Sequence, residues 1–171
     1  MRNQWNRIGA GVVLALVACG AGTAVLAAPK GTIVLGSTNS TSSNYTVSAA
    51  MVKAIKAGSP AANVSQIETG ASVDNVRRLT KNEIDLGLIA TDTGIQALSG
   101  TGPFAGGKAV DDLVALYAYD VSVLNVAVSQ DSKVASIADL AGKKFNPGIR
   151  GSGAELLTRE VFKTLGVEPA W

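Results

Sequence analysis

The sequence predicts an α/β fold: a parallel sheet flanked by helices. Three observations carry this reading. Short apolar runs recur along the chain, helical patterns with apolar residues four apart lie between them, and glycine, proline and small polar residues punctuate the alternation.

The first run, Thr32-Ile33-Val34-Leu35, is uninterrupted, as expected of a strand buried on both faces. A Ser/Thr/Asn-rich loop from Gly36 to Asn44 leads into a helix with Val47, Met51 and Ile55 inward and Lys53 and Lys56 outward. Gly58 and Pro60 end that helix. A weaker strand, Val64 to Ile67, precedes Thr69-Gly70-Ala71-Ser72, where Ser72 reads as the cap of a helix burying Val73, Val76 and Leu79. Leu86-Gly87-Leu88-Ile89 is a third strand, with Thr91-Asp92 at its carboxyl end before another short helix. The glycine-rich stretch Gly100 to Gly107 precedes two further apolar runs, Leu113 to Tyr119 and Val121 to Val128, the second read as a crossing strand. Ile137 to Leu140 reads as a helical turn, and Lys143 to Phe145 as a short strand. A last helix begins at Ala154 with Leu157, Val161 and Leu165 inward and Gly166 at its end.

The start of the chain has the pattern of an export signal. Arg2 and Arg7 precede an uncharged stretch from Ile8 to Ala28, and Val25-Leu26-Ala27 offers small residues at the positions a signal peptidase reads. This predicts a signal peptide over residues 1–27 and a periplasmic location. Leu16-Val17-Ala18-Cys19 also fits a lipobox, so the alternative is a lipoprotein signal ending before Cys19 and a lipid anchor there. Setting Arg2 and Arg7 aside leaves thirteen basic against thirteen acidic residues, with no basic run interleaved with aromatics. Nucleic acid is therefore not an expected partner. The chain has no histidine, and its one cysteine is Cys19. That rules out a Ser-His-Asp triad, a Cys-His pair and a zinc site of histidine and cysteine. No cofactor is expected: Gly148-Ile149-Arg150-Gly151-Ser152-Gly153 is neither a dinucleotide-binding fingerprint nor a P-loop.

In an open parallel sheet, ligands bind beyond the carboxyl ends of the strands, near helix N-termini. Small hydroxyl and amide residues gather at four such places: Ser37-Thr38-Asn39 with Tyr45 beyond it, Thr69 to Ser72, Thr91-Asp92, and Gly151-Ser152-Gly153. Hydroxyls and free N–H groups at helix starts suit a carboxylate or phosphate. The candidate ligand-binding residues are thus Ser37, Thr38, Asn39, Tyr45, Thr69, Ser72, Thr91, Asp92, Gly151, Ser152 and Gly153. Thr38, Ser72, Thr91 and Ser152 are the expected donors. Each also has a plainer reading, Ser72 as a cap and Gly151 to Gly153 as a tight turn. As an enzyme the chain offers only Asp92, Glu155 and Tyr45 as acids or bases, with no partnered nucleophile, so catalysis is not expected.

Several pieces together resemble the TAXI group of receptors for tripartite ATP-independent periplasmic (TRAP) transporters. They are Glu68-Thr69-Gly70-Ala71-Ser72-Val73-Asp74-Asn75-Val76-Arg77, Glu83-Ile84-Asp85-Leu86-Gly87-Leu88 with Thr91-Asp92, and Gly102-Pro103-Phe104. Ser136 to Lys143 and Gly148 to Glu155 complete the set. The resemblance implies a periplasmic-binding-protein-like fold of the second type, with two α/β lobes closing on a ligand. It implies a small-molecule solute, an organic acid or amino acid, and a membrane-embedded TRAP permease driven by an ion gradient. The loop from Gly36 to Tyr45 departs from the group's pattern, with glycine only at its start and no proline. On this template residues 28–120 form the first lobe, 121–128 cross to the second, and 129–171 begin a second lobe that is incomplete. A receptor cut short there is expected to bind weakly or dissolve poorly. The alternative role is a periplasmic sensory or effector-binding domain feeding a signalling partner.

Overall fold

The computed structural model describes residues 31–171. Residues 1–27, read above as a signal peptide, and Cys19 among them lie outside the described residues. Three parallel strands, β1 (Thr32–Gly36), β2 (Asn63–Ile67) and β3 (Leu86–Gly87), form a sheet in the order β2-β1-β3. β1 pairs with β2 along its whole length, Thr32 opposite Asn63 and Gly36 opposite Ile67, and with β3 only at Leu35 and Gly36. Helices α1 (Ser43–Gly58), α2 (Ser72–Thr80) and α3 (Thr91–Ser99) follow the strands in turn. The parallel α/β arrangement read from the sequence is therefore present in this half of the chain.

Strand positions match the apolar runs, but burial is uneven. Leu35 and Val64 are buried, whereas Ile33 and Val34 are only half-buried. α2 buries Val73 and Val76 as its spacing predicts, and also Asn75. α1 differs: its Val47 and Ile55 remain exposed, and Ser48 is the residue it buries. Ser48 Oγ lies 2.9 Å from the Tyr45 carbonyl and shares a 2.6 Å hydrogen bond with Ser37 Oγ, so this helix is held to the residue after β1 through a hydroxyl pair.

The apolar runs 113–119 and 121–128 form no strand. A strand needs a neighbour for its N–H and C=O groups, and none of the described residues pairs with either run. Val114, Leu116, Val121 and Val123 are consequently exposed.

Beyond them lie a 3-10 turn at Ile137–Leu140, closed by a capping box between Ser136 and Asp139, and helix α4 (Gly153–Thr164). The expected strand at Lys143 to Phe145 is reduced to a single parallel bridge between Lys144 and Ala170. α4 does not bury the stripe that its spacing suggests. Leu157 and Leu165 are exposed, and Glu155, Thr158 and Phe162 face inward. An aromatic group sets this rotation: the Phe162 ring stands 5.1 Å from Phe145 and 5.7 Å from Trp171. Leu140 and Val167 complete a small core around Phe162. Truncating a fully buried phenylalanine costs about 3–5 kcal/mol. Phe162→Ala is therefore expected to lower unfolding free energy in urea by that amount, and Leu157→Ala by less than about 0.5 kcal/mol.

Candidate ligand-binding site

The carboxyl ends of the three strands point to one edge of the sheet, and the segments leaving them are tied together there. Thr69 Oγ1 donates to the Ser37 carbonyl at 2.8 Å, joining the segments after β2 and β1. Ser72 Oγ accepts the Ala90 N–H at 3.0 Å, joining α2 to the segment after β3. Ser72 is thus the first residue of α2 and a bridge; Ala71, at φ 71°, occupies the cap position instead. Positive φ is strained for alanine. Here it turns the chain sharply enough for α2 to begin beside the neighbouring loop.

α4 meets the same edge from the other side. Val73 N–H donates to the Gly151 carbonyl at 3.1 Å. Gly153 lies so close to Ala90 that a Cβ on it would overlap the alanine methyl, and Asp92 Oδ1 is 3.6 Å from that same position. Only glycine allows this approach. The starts of α2, α3 and α4 therefore converge.

Neither α2 nor α3 has a side-chain cap, since Ala71 and Ala90 stand where a serine or aspartate would. In α2 the Val73 amide is met by the Gly151 carbonyl, while the other first-turn amides of α2 and those of α3 keep the donor capacity of a helix start and its positive partial charge. At α4, Ser152 Oγ accepts the Glu155 N–H at 3.2 Å and is a true cap.

Two carboxylates brace the loops by one device. Gly70 N–H donates to Asp74 Oδ2 at 2.9 Å, and Arg78 Nε holds that oxygen at 2.8 Å. On α4 Gly151 N–H donates to Glu155 Oε2 at 2.6 Å, while Arg159 Nε holds the other oxygen at 2.9 Å. Glycine, acid and arginine thus sit four residues apart in both. That repeated spacing is the sequence signal that would have identified Asp74 and Glu155 as loop braces. Burial works to raise both acids' pKa. For Asp74 the Arg78 and Gly70 bonds overcome it, and for Glu155 the Gly151 N–H and Arg159 do, so both sit below the ordinary range.

Among the candidate residues, Ser37, Thr69, Ser72, Thr91, Asp92, Gly151, Ser152 and Gly153 lie at this edge. Their chemistry is not uniform. The Ser37 hydroxyl is paired with that of Ser48 and Thr69 spends its hydrogen on the Ser37 carbonyl, whereas Ser72 and Ser152 accept N–H bonds and keep theirs. Thr91 is exposed, Asp92 is half-buried, and no hydrogen bond joins the Asp92 carboxylate to a described residue. Thr38 Oγ1 reaches only the Asn39 carbonyl, at 3.3 Å. Asn39 is occupied with its own turn, receiving Thr41 Oγ1 at 3.2 Å, and Tyr45 is joined to the group only through its carbonyl. Neither Asn39 nor the Tyr45 ring is tied to the α2–α4 contact. A surface groove of ≈ 460 Å³ lies elsewhere, between α2 and residues 103–112, with Arg77, Phe104 and Lys108 on its walls.

Residues 35–170 match the NMT1-like family. The chain belongs to that family. NMT1-like proteins have a periplasmic-binding-protein-like fold and are typically extracytoplasmic solute-binding proteins, which agrees with helix starts gathered at the strand ends. Among the described residues no helix is long and apolar enough to cross a membrane, and no cluster of three or more His, Cys, Asp or Glu could hold a metal ion.

The acid braces give this NMT1-like chain a defined pH response. A depressed carboxylate pKa stabilises the fold fully above the unfolded value, about 4.3 for glutamate, and that contribution is lost as pH falls through the folded value. Glu155→Gln is expected to lower the urea midpoint at pH 7 and to shallow its decline below about pH 4.3. Asp74 and Asp139, also held low, should preserve part of the slope. Urea titrations between pH 7 and 3 measure both.

Proposed function

We propose that this chain is an extracytoplasmic receptor for a small anionic organic solute, an organic acid or amino acid, held at the strand-end edge without chemical change. The observation that carries the reading is the convergence of α2, α3 and α4 with two of the three helix starts lacking a side-chain cap. Uncapped amides and aligned peptide dipoles favour a carboxylate there. Ser72 and Ser152, which keep their hydroxyl hydrogens, are additional donors, and Asp92 is placed to receive the amine of an amino acid.

The resemblance to TAXI receptors supports a delivery role, with an ion-gradient-driven TRAP permease as the membrane partner. On that reading the Gly151–Gly153 loop closes over the solute, and its approach to Ala90 is the closing contact. Hydrogen bonds to a charged group are worth about 1.5–3 kcal/mol each, so losing one weakens affinity roughly tenfold or more.

Calorimetric titration of the exported chain with a panel of mono- and dicarboxylates, amino acids and their neutral amides tests this. At least one carboxylate should bind while its amide does not. Gly153→Ala should weaken that binding at least tenfold, and Leu157→Ala on the exposed face of α4 should leave it unchanged. Equal affinity for acid and amide, or no carboxylate binding, would overturn the proposal.

A further inference from the structure

The edge of the sheet depends on one side chain that forms no part of the ligand cradle. Asn75 is fully buried in the first half of α2. Its Nδ2 lies 2.8 Å from the Ser37 carbonyl, 2.8 Å from the Leu88 carbonyl and 3.3 Å from the Gly36 carbonyl. An amide nitrogen has two hydrogens. The two short contacts take one each, and they join the segments leaving β1 and β3. Because the Ser37 carbonyl also receives Thr69 Oγ1, the segment after β2 is tied to the same atom.

The surrounding sequence is shaped to admit this side chain. A Cβ on Gly36 would stand 2.6 Å from Asn75 Oδ1, and one on Gly87 would stand 3.2 Å from Asn75 Cβ. The oxygen gains nothing in return, since Oδ1 is buried without a hydrogen-bond partner. An apolar residue of similar volume would remove that unmet acceptor. What it could not supply is the pair of donors, so the donors are the reason for an amide here. One turn earlier, Ser72 receives the Ala90 N–H, and α2 therefore grips residues 88–90 with two side chains.

We propose that Asn75 is a positioning residue for the ligand site, clamping the segments after β1 and β3 at a fixed separation so that the starts of α2 and α3 face one ligand. This rests on the receptor reading above for the ligand, but the clamp itself can be measured without one.

The test compares Asn75→Leu, which keeps volume and loses the donors, with Val64→Ala, a β2 core truncation that loosens the sheet without touching the clamp. Amide hydrogen exchange is followed in the full exported chain. Asn75→Leu should speed exchange at Ser37, Leu88 and Ala90 at least tenfold more than in the β1–β2 ladder, and Val64→Ala should not single those amides out. Should Asn75→Leu not accumulate as folded protein, Asn75→Ser carries the same comparison. Uniform acceleration, or none, would overturn the clamp. With L-glutamate and succinate as probes, Asn75→Leu should also weaken affinity at least tenfold under conditions where both variants are fully folded, and Val64→Ala should not. Unchanged affinity alongside loosened loops would overturn the positioning role. Failure of the unaltered chain to bind either probe would count against the receptor reading, and the exchange comparison would still decide the clamp.

Discussion

The close approach of Gly151 and Gly153 to the starts of α2 and α3 is the constraint from which the arrangement of this protein follows. It requires a residue without Cβ at 153, because the Ala90 methyl occupies the space. A carbonyl at 151 must also meet the Val73 amide. Satisfying both brings α4 end-on to the sheet edge and aligns three helix starts. An edge made this way concentrates positive partial charge from backbone alone, which matters in a chain whose acidic and basic residues nearly balance.

A charged brace holds each of the loops after β2 and before α4. At Gly70–Asp74–Arg78 and Gly151–Glu155–Arg159, a carboxylate accepts a loop amide and is flanked by an arginine. The two parts differ in weight. For the solvent-facing Asp74–Arg78 pair, an i,i+4 ion pair contributes about 0.3–0.5 kcal/mol, whereas a hydrogen bond to a charged acceptor contributes about 1.5–3 kcal/mol. At Asp74 the N–H to carboxylate bond thus stabilises the loop more than the ion pair does; at the buried Glu155 the Gly151 N–H and then Arg159 keep the acid ionised. Arg159 has a second contact, 4.3 Å above the Trp171 ring, which links the α4 loop to the aromatic core around Phe162. The loop before α4 and this core are in this way joined through one side chain.

What the sequence reveals depends on how local each signal is. β1, β2 and α2 are legible because their apolar spacing and turn residues agree with their neighbours. Leu113 to Val128 carries equally strong apolar runs, yet pairing decides a strand, and the described residues supply no partner. The face of α4 departs from its spacing for a related reason: Leu157, Val161 and Leu165 satisfy helical periodicity, but Phe145 and Trp171, outside the helix, choose Phe162 instead. The gathering of small polar residues at the strand ends follows from topology. The individual roles do not, since whether Ser37, Thr69 or Ser72 has a spare hydrogen depends on Ser48, the Ser37 carbonyl and the Ala90 amide. Asn75 is hidden for the same reason. Nothing in the spacing of α2 distinguishes a buried amide from a solvated one.

If backbone amides at three helix starts form the anion site, they should respond first when a solute binds. The most direct measurement is a two-dimensional amide-resonance titration of the full chain with a panel of carboxylates. The largest saturable shifts should fall on Ser72, Thr91, Asp92, Thr93, Gly153 and Ala154. Shifts concentrated instead around Arg77, Phe104 and Lys108, in the groove beside α2, would contradict this placement of the site.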